Sequence, residues 1–158
     1  MIDANFQVSG STSKSFPPMP ADVYQVEIEN VEVRQGKGYQ TDELEDQLSF
    51  TFVVIDEGPF YGRFVWRSMA PKLVGGTKQS TLYQFLATLN GKGYSREECA
   101  NAREVITPAF LNGLIGIQLR VSLVQKVGED GVTRNKIASF LPVKETLPKY
   151  DVNKQPAF

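Results

Sequence analysis

The chain has 158 residues, 41% of them hydrophobic and 11% aromatic, enough for one ordinary domain with its own core and too apolar for global disorder. It has no histidine and a single cysteine, Cys99, which excludes histidine general bases and triads, thiolate metal centres built by one chain, and any intramolecular disulfide. The formal net charge of −1 conceals a division: residues 1–57 hold 11 acids and 3 bases, whereas residues 58–158 hold 7 acids and 14 bases.

Residues 1–20 read as an N-terminal arm rich in Ser, Thr, Gly and Pro, either mobile or laid along the domain surface. The start, MIDANFQVSG, lacks the basic and apolar stretches of a signal peptide, and no run is long and apolar enough for a membrane span. With one cysteine, this predicts a cytoplasmic protein without membrane contact. The domain proper is expected over residues 21–146.

A first strand begins at Ala21. Tyr24, Val26 and Ile28 alternate with polar residues, then the parity moves to Val31 and Val33, which predicts a bulge near Glu29 and Asn30. A polar loop follows, with Lys37 and Tyr39 among its glycines. In the next strand Leu48, Phe50, Phe52 and Val54 share the face assigned to the core. A tight turn at EGPFYG leads into a third strand ending near Met69. Two arginines are costly to bury unpaired, so Tyr61, Arg63, Val65 and Arg67 are expected to face solvent, with Phe64 and Trp66 in the core.

The period then changes. Leu82, Phe85, Leu86 and Leu89 form one helical stripe, with Thr77 as its expected cap and Asn90–Gly91 as its stop. Ser95 and Glu98 fit a capping box, and Thr107-Pro108 with Gly113 fits one further helical turn. Two strands close the domain. Ile117, Leu119, Val121 and Leu123 are assigned inward on the first. On the second, a regular strand points Ile137 and Leu141 inward and Arg134, Lys136 and Phe140 outward, whereas a bulge would return Phe140 to the core. Residues 147–158 read as a loose polar tail.

Three strands, a helical insert and two strands predict a mainly β protein. The expected architecture is a five-stranded OB-fold-like Greek-key barrel with the helical insert between strands 3 and 4. No internal repeat and no domain boundary interrupts it.

Few motifs carry chemistry. GGTKQS, residues 75–80, approaches a phosphate loop without meeting the pattern. The acids of TDELED, Asp42, Glu43, Glu45 and Asp46, offer oxygen ligands, but their spacing does not fit an EF-hand, so a solvated loop is expected, with no metal and no cofactor. No nucleophile has a base nearby, and no catalytic residue is assigned. Between Gly58 and Arg96 there are six bases and no acid, a pattern suited to a polyanion. Tyr61 and Phe140 are the expected base-stacking residues, and Arg63 and Arg67 the expected phosphate contacts. Lys37, Tyr39, Lys72, Lys78, Lys126, Arg134 and Lys136 are the remaining candidates.

PMPADVYQVEIENVEV, FVVIDEGPFYGRFVWRSM and GEDGVTRNKIASFLPV together resemble small phage-encoded single-stranded-DNA-binding proteins with an OB-fold. The similarity covers about residues 18–144, with Asp22 where the family has Gly. The resemblance implies non-catalytic protection of single strands during phage replication or recombination, in the cytoplasm of an infected bacterium. Phe158 matches the phenylalanine tip through which bacterial single-stranded-DNA-binding proteins recruit replication or recombination enzymes, but Asp151 is the only acid in the last twelve residues. RNA stays open beside DNA as the ligand, and so does self-association. The alternatives are a protein-interaction or assembly module on the same scaffold and a metal-dependent enzyme using the acidic loop.

Overall fold

The computed structural model describes residues 1–8, 17–37 and 43–154. Its elements run β1 (Asp22–Lys37), β2 (Leu44–Val54), β3 (Phe64–Met69), α1 (Thr81–Asn90), α2 (Arg96–Ala100), α3 (Ala102–Val105), α4 (Pro108–Asn112), β4 (Gln118–Val127) and β5 (Thr133–Leu141). All ladders are antiparallel, and the strand order is β3-β2-β1-β4-β5. The protein is therefore mainly β, with short helices between strands 3 and 4. The sheet is not closed: Cα atoms of β3 and β5 come within 8 Å of one another, but no ladder joins the two strands. No helix among the described residues is long and apolar enough to cross a membrane.

The change of phase in β1 is a bulge. The register with β2 slips between Ile28 and Asn30, so Ile28 pairs with Phe52 and Val31 with Phe50. Tyr24, Val26 and Ile28 before the slip are buried, with Val54 and Phe52 of β2 opposite Val26 and Ile28, and Phe50 and Leu48, opposite the residues after the slip, are buried as well. Val33 is exposed, although Leu48 opposite it is buried. Helix α1 brings Leu82, Tyr83, Phe85 and Leu86 onto this core, where the Phe85 ring lies 4.7 Å from that of Phe50. Its cap is Ser80 rather than Thr77: the Ser80 hydroxyl accepts the Tyr83 amide, and its backbone has the extended geometry of an N-cap. Gly91 ends the helix in the left-handed conformation, as the sequence predicts. The capping box at Ser95 and Glu98 is formed, and Thr107 caps α4 with Pro108 in its first turn.

Three regions depart from expectation. In β3 the faces are exchanged. Val65 and Met69 are buried, with Arg67 on their side, whereas Phe64 is 41% and Trp66 61% exposed. The alternation itself holds along β3; the cost of burying arginine pointed to the wrong face as the inner one, while Tyr61 lies before Gly62, whose positive φ of 85° breaks the phase, and is buried on the outer face instead. Arg67 is half-buried on that side, as a long side chain can be when its stem packs against apolar neighbours. The fit is incomplete, since its Nε is buried without a hydrogen-bond partner.

In β5 a second slip separates Ser139 from Ile137 in the pairing with β4. The extra residue, Ala138, brings Phe140 opposite Val121 and against the core, 4.9 Å from the Phe85 ring. Leu141 is partly exposed, and so is Ile117, which precedes β4.

The termini are the third departure. Met19, assigned to the arm, is buried; Asn135 accepts its amide, and Asn135 and Gln125 both donate to its carbonyl. The segment after β5 is docked rather than loose. Leu147 and Tyr150 cover Val53, Ile55 and Tyr61 on the outer face of the sheet. Gln118 exchanges two hydrogen bonds with the Leu147 backbone, at 2.7 and 2.9 Å. The Asp151 amide donates to the Tyr61 hydroxyl at 2.9 Å, and Lys154 sits 4.7 Å above the Tyr61 ring while pairing with Glu57.

Candidate nucleic-acid interface

The start of β3 and the start of β5 form the two walls of an open groove of about 480 Å³. Arg63, Phe64, Val65 and Trp66 line one side, Val132, Thr133, Arg134 and Asn135 the other, with Pro18 at one end. The arm helps set the width: Arg63 donates to the Pro17 carbonyl at 3.0 Å, while Met19 is held by Asn135 across the groove. No carboxylate is among the lining residues.

Phe64 and Trp66 lie on the outer face because β3 alternates and Val65 is drawn into the core. Their rings are 6.4 Å apart and tilted by 40°. Tyr150 approaches Phe64 at the same distance and stacks on Tyr61 at 5.9 Å. Four aromatic rings thus follow one another, Tyr61, Tyr150, Phe64 and Trp66, with only the last two substantially open to solvent.

The opposite wall carries charge. Lys126 pairs with Arg134, and Val124 with Lys136, so the three cations share one face of the β4–β5 hairpin. Arg134 is engaged by Asp130 through two hydrogen bonds, at 2.7 and 3.1 Å. These bonds, helped by the Val132 amide, hold the Asp130 carboxyl down to about 2 and raise the Arg134 guanidinium. Arg134 therefore meets the groove as half of an exposed ion pair, whose carboxylate an incoming phosphate would have to displace or share.

Of the residues singled out from sequence, the structure brings Arg63 and Arg134 into this groove and sets Lys126 and Lys136 beside Arg134. The others are elsewhere. Tyr61 is 5% exposed beneath the C-terminal segment and cannot offer a ring face to a base. Arg67 faces the core side of β3 and is not among the groove residues. Lys72 and Lys78 are exposed in the loop between β3 and α1, also outside the groove. Phe140 lines a different groove, next to α1. Lys37 closes β1, and Tyr39, Asp42 and Phe158 lie outside the described residues. No group of three or more potential metal-ligating side chains occurs among the described residues.

Sequence reasoning missed Trp66 and Phe64 as exposed groups. The available signal was parity: Val65 and Met69 are apolar at strand spacing, while Ser68 shares the parity of the two aromatics.

No protein-family model and no curated protein sequence matches the chain.

Proposed function

We propose that this protein binds single-stranded nucleic acid, DNA in the first instance, without reading its sequence and without catalysis. One observation carries the reading: Phe64 and Trp66 are exposed side by side in a groove whose only charged residues are the cations Arg63 and Arg134. Every base has a π face, so stacking on such rings is worth about 1–3 kcal/mol per base whatever the sequence. The ring spacing of 6.4 Å exceeds the roughly 3.4 Å rise between stacked bases. Two neighbouring bases that each cover a ring must therefore be drawn apart from one another, which a single strand permits and a duplex resists.

The strand order supports an OB-fold reading. Closing β3 onto β5 would convert β3-β2-β1-β4-β5 into a five-stranded barrel with its helices between the third and fourth strands. The place in phage replication or recombination rests on the sequence resemblance alone. An exposed tryptophan also suits a protein interface. The basic, carboxylate-free lining favours a polyanion over that alternative.

Trp66 is the only tryptophan, so its fluorescence reports on the site directly. Oligothymidylate titrated at two salt concentrations should quench Trp66 strongly and raise the anisotropy of a labelled oligonucleotide. Affinity should fall with salt by about 0.7 logarithmic units per decade for each phosphate neutralised. An affinity unchanged by salt, or no anisotropy rise at low salt, would overturn the proposal.

A further inference from the structure

A second groove, of about 370 Å³, runs between the solvent side of α1 and the end of β5. Phe140 and Ser139 line it from β5, Gln84 and Thr88 from the helix, and Lys92 from the turn after the helix. Three properties distinguish it from an ordinary surface crease.

The first is an aromatic platform. Phe140 is half-buried, and its ring rests 4.9 Å from Phe85 and 6.3 Å from Phe52. Both supporting rings belong to the core, so the part of Phe140 that meets the groove is held rigid before any ligand arrives. The second is charge. Helix α1, TLYQFLATLN, carries no charged residue at all, and Lys92 is the one formally charged residue lining the groove. It follows Gly91, whose left-handed conformation ends the helix there. The third is position. Both grooves take a wall from β5, the first at Val132–Asn135 and the second at Ser139 and Phe140. Three residues of strand lie between them, Lys136, Ile137 and the bulged Ala138, so the two walls are at most about 13 Å apart at the usual rise.

We propose that this groove is a second subsite for the same nucleic acid strand, with a base against Phe140 and a phosphate at Lys92. The proposal rests on the binding function assigned to the β3–β5 groove and extends it into a bipartite footprint. Spanning 13 Å takes about four nucleotides at a stacked rise and fewer when the strand is extended. A very short oligonucleotide can therefore fill one groove only, whereas a longer one fills both.

The test uses the full chain and two oligothymidylates, one of about two nucleotides, too short to reach from one groove to the other, and one of about twelve, within the site sizes known for single OB-type domains. Lys92→Glu should weaken the longer ligand about tenfold, flatten its salt dependence by about 0.7 logarithmic units per decade, and leave the shorter one unchanged. Phe140→Leu, checked by thermal melting for an intact fold, should weaken the longer ligand about fivefold or more. An equal effect on both lengths, or no effect on either, would overturn the second subsite while leaving the first groove's role intact. If the unmodified protein bound neither oligonucleotide, the primary reading would fall and this one with it.

Discussion

The outer face of β2 and β3 has two halves that the chain treats differently. Over one half, Val53, Ile55 and Tyr61 are buried beneath Leu147 and Tyr150. Over the other, Phe64 and Trp66 stand open although Tyr150 reaches as far as the Phe64 ring. The covering segment is secured by the Gln118–Leu147 exchange on β4, by Asp151 on Tyr61 and by Lys154 on Glu57, and none of these anchors falls on Phe64 or Trp66. An apolar strand face is thus made stable where the chain supplies its own lid and left available where it supplies none. Exposed aromatics matter here because a cover for their neighbours exists and stops short of them.

The two halves should separate under substitution. Tyr61→Ala removes a buried ring and the acceptor for Asp151, and should cost about 3–5 kcal/mol of folding stability, read from urea unfolding. A loss near zero would mean that the C-terminal segment does not cover this half in solution. Trp66→Ala should behave in the opposite way. Its stability change should stay within about 0.5 kcal/mol, while oligonucleotide binding should weaken by about 1–3 kcal/mol. A strongly destabilised Trp66→Ala would erase the distinction between the halves.

The smallest effect concerns the charge opposite the open half. The folded Asp130 carboxyl is held at about 2, below its ordinary 3.8. The pair with Arg134 therefore contributes fully above the ordinary value, and its contribution is lost as the pH falls through about 2. Carboxylate resonances followed by NMR should show Asp130 titrating near that low value, and Arg134→Ala should return it toward the ordinary range. Titration of the native Asp130 at the ordinary value would mean that Arg134 is not engaged, leaving the open half more strongly cationic.

Much of the frame was legible before any coordinates. The bulge in β1 followed from the shift between Ile28 and Val31, the buried face of β2 from four apolar residues at alternate positions, and the caps at Ser95 and Thr107 from local chemistry. These features depend on neighbours in sequence. The errors arose where a distant partner decided the outcome. Arg63 and Arg67 weighed against burying their face of β3, yet Val65 and Met69 fill the core from that face and Arg67 follows their parity. For Phe140, alternation and a bulge were both admissible, and the Phe52 and Phe85 rings explain which prevails. The C-terminal segment looked loose because Leu147 and Tyr150 are isolated among polar residues; their partners Val53, Ile55 and Tyr61 lie far upstream. The sequence thus located the aromatic, basic stretch, but which of its rings were open depended on what the rest of the chain would cover.

The ladder between β1 and β4 has a further consequence, for assembly. Asp22 pairs with Leu123 and Tyr24 with Val121, so the central strand of the sheet waits for a partner made much later. During synthesis, β1, β2 and β3 can zip together as they emerge, leaving the far edge of β1 unpaired until the helical insert and β4 have followed. At about 5–20 residues per second, that edge stays open for seconds, a template for strands of other chains. Glu27, Glu29 and Glu32 along β1 then repel identical chains by charge, so the acidic N-terminal third guards the unfinished sheet before the finished one has a groove to offer.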